Sequence, residues 1–316
     1  MSASLPIPAA LSNGPFTHQD ALRCEVSEKV LRGRRFRRLH PRVWVLASYK
    51  MSNLDWIRAA ELAMPDEACA SHLTRLRRLG LDYGSIHPLH FTIQGELHLA
   101  LDGIKLHRTK VMPPTGAHGV TPAAAFIGYA ADARVIDLIK VGDWLLHREH
   151  MSLRELLETA RRDRWRPGSG AAIWVVRFLD ARSRSLKESE TRALLVFAGL
   201  PEPEVNVDLF NGDLFIACVD LLYREWGLVV EYEGRQHAED IRQWNKDITR
   251  YAGMRDEKWE YVQVTQEMLK QPRAVVLRVY GKLVEGGYRG PAPLFADRWR
   301  TLFDRVPSSL TRPAVR

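Results

Sequence analysis

The stretch Cys218-Val219-Asp220-Leu221-Leu222-Tyr223-Arg224-Glu225-Trp226-Gly227-Leu228-Val229-Val230-Glu231-Tyr232-Glu233-Gly234-Arg235-Gln236-His237 sets carboxylates where an apolar strand has no use for them. Residues 228–230 read as a short buried strand, and alternate strand residues share a face, so Glu231 and Glu233 point the same way. Asp220 ends an equally apolar run, 214–219, and residues 224–227 supply a turn, so a hairpin returns Asp220 to the side of Glu231. Asp220, Glu231 and Glu233 then converge. Taking an unpaired carboxylate out of water costs several kcal/mol or a large pKa shift, so the cluster calls for a cation, a shared proton or ample water. A divalent metal, Mg²⁺ or Mn²⁺, answers that need with oxygen ligands. A solvated hairpin tip carrying Asp, Arg and Glu is the alternative.

The neighbourhood favours the first reading. Ser185-Leu186-Lys187-Glu188-Ser189-Glu190-Thr191-Arg192 opens an amphipathic helix that ends at Gly199, and a strand over 205–210 precedes the hairpin. A polar helix over about 237–254 carries Lys246, Asp247 and Arg250, and residues 259–265 alternate like a strand leading into a further helix. The order is α-β-β-β-α-β. With these carboxylates it resembles the PD-(D/E)XK nuclease superfamily, most closely its very-short-patch-repair (Vsr-like) branch, over roughly residues 182–280. Ser185, Glu188, Ser189 and Arg192 stand at the positions of that branch's Ser-x-x-Glu-Ser-x-x-Arg helix. Asp220 stands at its strand-ending Asp, Glu231, Glu233 and Gly234 at its Glu-x-acid-Gly run, and His237 just beyond. Asp247, Arg250 and Trp259 match its later helix and strand.

The resemblance implies a catalytic set of Glu188, Asp220, Glu231, Glu233 and His237, with Asp220, Glu231 and Glu233 as metal ligands. The superfamily's Lys is replaced by Glu233, as is frequent in the Vsr-like branch, so a basic group would have to come from Arg235, His237 or Lys246. Gln263 stands where the branch often has a basic residue. A metal-bound water attacking a phosphodiester in line is the chemistry implied. His237 fits an acid, a base or a phosphate ligand, and equally a solvent-facing helix start. Glu190, two residues from Glu188 on one helix, faces elsewhere.

The 316 residues, 46% hydrophobic, allow two or three domains with conventional cores. Cys24, Cys69 and Cys218 lack paired spacing, which argues against a disulfide framework or zinc knuckle. The chain lacks a signal-peptide pattern and a membrane-length apolar run, so a cytoplasmic location is expected. No Walker A loop is present, so nuclease activity should not need ATP.

The formal charge of +8 is concentrated at the start: residues 1–50 hold nine Lys or Arg against three acids. Residues 31–46 interleave Arg32, Arg34, Arg35, Arg37, Arg38 and Arg42 with Phe36, Leu39 and Trp44. Thr17 can cap a short helix to about residue 22, a second helix fits 27–32, and 36–46 reads as a β-hairpin wing. This suggests a winged helix. It resembles the N-terminal domain of AbiEi-type antitoxins through the helix start at 17–21, Val30-Leu31-Arg32-Gly33, Arg38-Leu39 and Val43-Trp44-Val45. Those proteins usually carry Gly before the final strand, where this chain has Arg42. The six arginines would neutralise phosphates and give salt-sensitive DNA affinity, with Arg235, Lys246 and Arg250 adding contacts. A solvated basic face is the plainer alternative.

The middle is less informative. Residues 54–63 and 68–79 look helical, the latter with Arg75, Arg77 and Arg78 on a polar face. Short strands fit 87–94, 97–101 and 103–108, and helices fit 135–147 and 153–162. His147 and His150, i,i+3, lack a third ligand. Residues 164–170 resemble a linker. A Pro/Arg-rich tail over 287–316 includes a short helix at about 294–303 and ends without expected order.

The fold class expected is α/β and multi-domain: a winged helix over 1–50, an α+β middle over 51–165, a restriction-endonuclease-like core with a mixed sheet over 182–286, and the tail. The activity expected is metal-dependent DNA endonuclease, RNA being chemically equivalent at the phosphate. The alternative is a non-enzymatic, antitoxin-like DNA-binding regulator, with a toxin or other protein as partner.

Overall fold

The computed structural model describes residues 7–233 and 259–307. The fold is mixed α/β with several separate sheets, and the chain divides into two compact units, Met1–Tyr129 and Ala130–Arg316.

In the first unit, Thr17 caps α1 (His18–Arg23) as expected, with reciprocal bonds from Asp20 N to Thr17 Oγ1 (3.1 Å) and from Thr17 N to Asp20 Oδ2 (3.0 Å). A short helix α2 (Glu28–Leu31) follows. Then come β2 (Phe36–His40) and β3 (Val43–Leu46), which pair antiparallel, and β1 (Phe16–Thr17) completes a sheet of order β1-β3-β2. Leu11, Phe16, Ala21, Leu31 and Phe36 form the core beneath, with Phe16 and Phe36 meeting edge-on at 5.6 Å. After α3 (Asn53–Ala63), capped by Ser52, a second sheet of order β4-β5-β6 joins β4 (Cys69–Ala70), β5 (Leu89–Gln94) and β6 (Ile104–Thr109). β5 and β6 are parallel. A small hairpin, β7 (Thr115–Gly116) with β8 (Gly119–Val120), leads into α5 (Pro122–Ala130).

Two expectations for this segment need correcting. Residues 68–79 are not one helix: β4 comes first, and α4 (His72–Arg77) is short. Arg75 and Arg77 are not on a polar face either but buried, and each is paired with main-chain oxygen. Arg75 Nε donates to Val120 O at 2.9 Å, and the Arg77 guanidinium donates to the carbonyls of Tyr83, Ser85 and Ile86. A buried guanidinium needs such acceptors, and here it fixes the loop that follows. Residues 97–101 form loop rather than strand, yet Leu99 and Leu101 still pack on the core of Ile57, Leu89 and Phe91.

In the second unit, helices α6 (Val135–His147), α7 (Leu153–Arg162), α8 (Ser169–Val175) and α9 (Leu186–Phe197) precede the sheet. Residues 164–170 lie within this unit, where Gly168 takes φ 89° ahead of α8 and Arg166 pairs with Asp163 at 2.8 Å. α6 is tied to α9 by an ion pair buried at both ends: Arg192 Nη2 to Asp143 Oδ2, 2.8 Å, with side-chain exposures of 2% and 0%.

The sheet has order β12-β11-β10-β9, built from β9 (Glu204–Asn211), β10 (Leu214–Tyr223), β11 (Leu228–Glu233) and β12 (Glu260–Thr265). β9, β10 and β11 form an antiparallel meander, and β12 runs parallel to β11. The turn between β10 and β11 closes on Gly227 at φ 60°, a conformation that favours glycine. α10 (Pro272–Glu285) follows, and α11 (Asp297–Thr301) buries Trp299, inside the short tail helix expected. In this C-terminal part the strand and helix order expected from sequence is observed for the described elements, while the helix over 237–254 lies outside them. Among the described residues, no helix is long and apolar enough to cross a membrane.

Candidate functional site

The register of the C-terminal sheet lines up the candidate carboxylates. Leu221 pairs with Val230, so the next step of the antiparallel ladder sets Asp220 opposite Glu231. On the other side Val219 pairs with Val207 and Leu221 with Val205, which sets Asn206 beside Asp220, and Glu231 pairs with Gln263 on β12. Asn206, Asp220, Glu231 and Gln263 thus form one row across the sheet, and directly opposed residues share a face. Glu233 sits on that face one alternation further along.

Asp220 does not end its strand as expected. Leu221, Leu222 and Tyr223 are each at most 2% exposed, so β10 continues past it and the acid lies within the ladder. Its Oδ2 accepts the backbone N–H of Tyr232 at 2.8 Å. Glu231 is 6% exposed, and its Oε2 accepts the hydroxyl of Tyr261 at 2.9 Å. A carboxylate has about four acceptor directions, so these bonds orient each acid and are compatible with coordination of a cation.

Glu188 is held differently. Its backbone N–H bonds the Ser185 cap, and its Oε2 accepts both Arg184 N (2.9 Å) and Asn206 Nδ2 (2.8 Å). The same Asn206 amide donates to Arg182 O at 2.8 Å, with Asn206 at φ 48°. Glu188 therefore fastens the start of α9 to β9. The rest of the Ser-x-x-Glu-Ser-x-x-Arg helix is also engaged structurally: Ser189 Oγ bonds Ser183 Oγ at 2.8 Å, and Arg192 holds Asp143 and Phe178 O. Burial pushes the Asp143 carboxyl up to about 6, against the downward pull of Arg192. Glu190 faces elsewhere, as expected, and pairs with Lys140 and Lys187, each at 2.9 Å.

Asp220 and Glu231 are the two candidate acids that the register sets directly opposite each other. Among the described residues, Asp220, Glu231 and Glu233 do not form a set of three with ligand atoms all within 4.8 Å of one another. Alternate residues on a strand are about 6.6 Å apart, which separates Glu233 from Glu231 along the chain. Gly234, Arg235, His237, Lys246, Asp247 and Arg250 lie outside the described residues.

The basic N-terminal segment forms a groove of about 630 Å³ lined by His18, Glu28, Arg32, Arg38, Arg42 and Trp44. Arg38 and Trp44 are cross-strand partners on one face. Arg32 pairs with Glu28 at 2.6 Å on the surface, an exposed contact that competes weakly with any phosphate. Arg34 is exposed, and Arg35 half-buried, at the turn entering β2. Arg37 alternates to the other face, where Nη2 donates to Tyr49 O at 3.3 Å and the guanidinium lies 6.0 Å from the Trp56 ring. Of the six arginines, Arg37 is the one turned to packing. Arg42, in the turn where glycine is usual, takes φ 61°.

The chain is 24% identical over 244 residues to two Mycobacterium tuberculosis proteins, "Uncharacterized protein MT2308" (strain CDC 1551 / Oshkosh) and "Uncharacterized protein Rv2248" (strain ATCC 25618 / H37Rv). The match covers 75% of this chain and 90% of each relative. No protein-family model and no solved structure matches.

One cluster is not visible in the sequence reading. Among the described residues, the set of three potential metal ligands whose donor atoms do lie within 4.8 Å of one another is His72, His90 and His107. They are too far apart in sequence to make a local motif; the parallel pairing of β5 with β6 brings His107 near His90, and β4, paired with β5, leads into His72. His147 and His150 are placed otherwise: His147 Nδ1 lies 3.1 Å from Ala181 O, and His150 packs on Trp144.

Proposed function

We propose that this chain is a DNA-binding phosphodiester hydrolase. Its N-terminal segment, read as a winged helix, engages the duplex, and its C-terminal sheet, read as a restriction-endonuclease-like core, carries the hydrolytic site. The observation that carries this reading is the opposition of Asp220 and Glu231 within a mixed sheet whose fourth strand is parallel to the third. Two acids placed against each other in a ladder are costly unless a cation, a shared proton or water offsets their charge, and a bound cation is the option that supplies chemistry.

Asp220 and Glu231 would hold Mg²⁺, with several of its positions left to water and phosphate oxygen. When bound, such an ion activates a water and offsets the charge of an in-line displacement. The chain's own groups do the positioning. The Tyr232 N–H fixes the Asp220 carboxylate, the Tyr261 hydroxyl fixes Glu231, and Glu188 acts at one remove by anchoring β9 through Asn206. In the groove, Arg32, Arg38 and Arg42 can meet backbone phosphates around Trp44.

The test is nicking of supercoiled plasmid by wild type, Asp220→Asn and Glu231→Gln, with and without Mg²⁺ or Mn²⁺. Wild type is expected to nick only with metal, and each substitution to slow it on the order of 100-fold or more. Cleavage that survives both substitutions would remove the assignment.

A second reading, a non-enzymatic DNA-binding regulator, is favoured by a specific observation. Glu188, Asp220 and Glu231 all make hydrogen bonds that brace the sheet, and Glu233 replaces the ammonium expected beside them. It predicts duplex binding without nicking by wild type in any metal.

A further inference from the structure

His72 opens α4, His90 lies in β5 and His107 in β6. In the parallel register Thr92 is opposite His107, so His90 and His107 stand one alternation apart on the same face, and the turn out of β4 brings His72 over them. The rings stack, with centroids 4.0 Å apart for His72 and His107, 5.0 Å for His72 and His90, and 5.1 Å for His90 and His107. We propose that these three imidazoles bind one divalent transition-metal ion of the zinc class, with a further coordination position open to water.

Three imidazoles in contact are not an apolar packing solution, because every ring carries two nitrogens that require partners. His72 has an outer oxygen partner of the kind metal-bound histidines use, and His90 and His107 meet nitrogen to nitrogen. His72 Nδ1 lies 2.9 Å from Ser71 Oγ, which in turn receives the Thr92 hydroxyl at 2.9 Å. The Ser71 hydroxyl can accept an Nδ1–H, and in that tautomer Nε2 carries the lone pair for a metal, the role outer partners play for metal-bound histidine. His90 Nδ1 and His107 Nε2 face each other at 2.9 Å. Two nitrogens on one tetrahedral zinc stand about 3.3 Å apart, so an ion would replace that hydrogen bond, opening the contact by about 0.4 Å and turning the two rings toward a common point.

The surroundings hold His72 in place. A Cβ at Gly128 would lie 2.9 Å from His72 Cε1, so glycine lets α5 press against the imidazole. Lys105, opposite His90, is exposed, which leaves its charge screened by solvent. The three half-buried nitrogen donors differ from the closed four-ligand sets of structural zinc and resemble sites that keep a position open. Nitrogen ligands favour zinc, cobalt and nickel over magnesium, which separates this cluster from the carboxylate pair.

The test uses the untagged full chain, stripped with chelator and titrated with Co²⁺ and then Zn²⁺. Wild type is expected to develop the visible absorption of nitrogen-ligated cobalt, saturating at one equivalent bound to this cluster, and Zn²⁺ should displace it. That absorption should vanish in His90→Ala and His107→Ala and persist in Asp220→Asn. Ser71→Ala should weaken binding by roughly 10–100-fold. Circular dichroism checks each fold, and His107→Gln, which keeps a polar side chain of similar size, replaces His107→Ala if alanine unfolds the sheet. Absence of cobalt absorption in wild type would overturn the proposal, as would unchanged absorption in a folded His107 variant.

Discussion

Arg42 is a residue at which stability and the proposed DNA binding can be separated. It holds φ at 61° between β2 and β3, where a side chain costs about 1–2 kcal/mol, and it also lines the basic groove. Arg42→Gly is expected to leave the urea midpoint level or slightly raised while weakening duplex binding in fluorescence anisotropy. A lowered midpoint would mean that the side chain contributes packing instead. Asp143 offers a pH signature. Because burial raises its carboxyl from 3.8 to about 6, the folded chain keeps a proton that the unfolded chain has released across that interval. The stability contributed is complete below 3.8 and is lost as pH rises through about 6. Asp143→Asn removes this titration, so the unfolding free energy of wild type minus that of the variant should fall between about pH 4 and about pH 7. A difference that rises with pH would show that Arg192 dominates and holds the carboxyl low.

At the scale of elements, β11 and β12 are linked by more than their ladder. The Tyr261 hydroxyl is a partner of the buried Glu231 carboxylate, and losing a bond to such a group costs about 1–3 kcal/mol. Tyr261→Phe should therefore lower stability by about that amount in thermal or urea unfolding, and a change below a few tenths would mean that Glu231 is satisfied without it. The same elements explain what was legible in sequence. The helix start at Ser185, the turn over 224–227, the alternation of 259–265 and the Thr17 cap are local signals, and each appears where its residues place it. What escaped depends on partners distant in the chain. Arg192 reads as part of a site motif until its acceptor is found on α6, 49 residues earlier. Arg75 and Arg77 read as surface charge until the carbonyls of Val120 and of residues 83–86 close over them. Asp220 reads as a strand end because the acid interrupts an apolar run, whereas buried Leu221 to Tyr223 carry the strand on.

For the whole molecule, the proposed DNA affinity rests on charge unevenly spread along the chain, and salt is its direct probe. Each phosphate neutralised contributes a slope of about −0.9 to the dependence of log affinity on log salt. Arg38→Ala and Arg42→Ala should each make the slope shallower by about 0.9, and Arg37→Ala should leave it nearly unchanged. An equal effect from all three would argue for a diffuse charge effect over a defined groove. Asn206 carries a consequence of another kind. β9 ends its sheet, and a one-residue slip of such a strand would turn Val205 and Val207 outward and drive Glu204 and Asp208 against the apolar layer. The Asn206 amide, clamped to Arg182 O and Glu188, makes that slip break two bonds before any replacement forms. A glutamate first read as chemistry thus serves as a latch on register, guarding an edge strand against the mispaired forms from which aggregates grow.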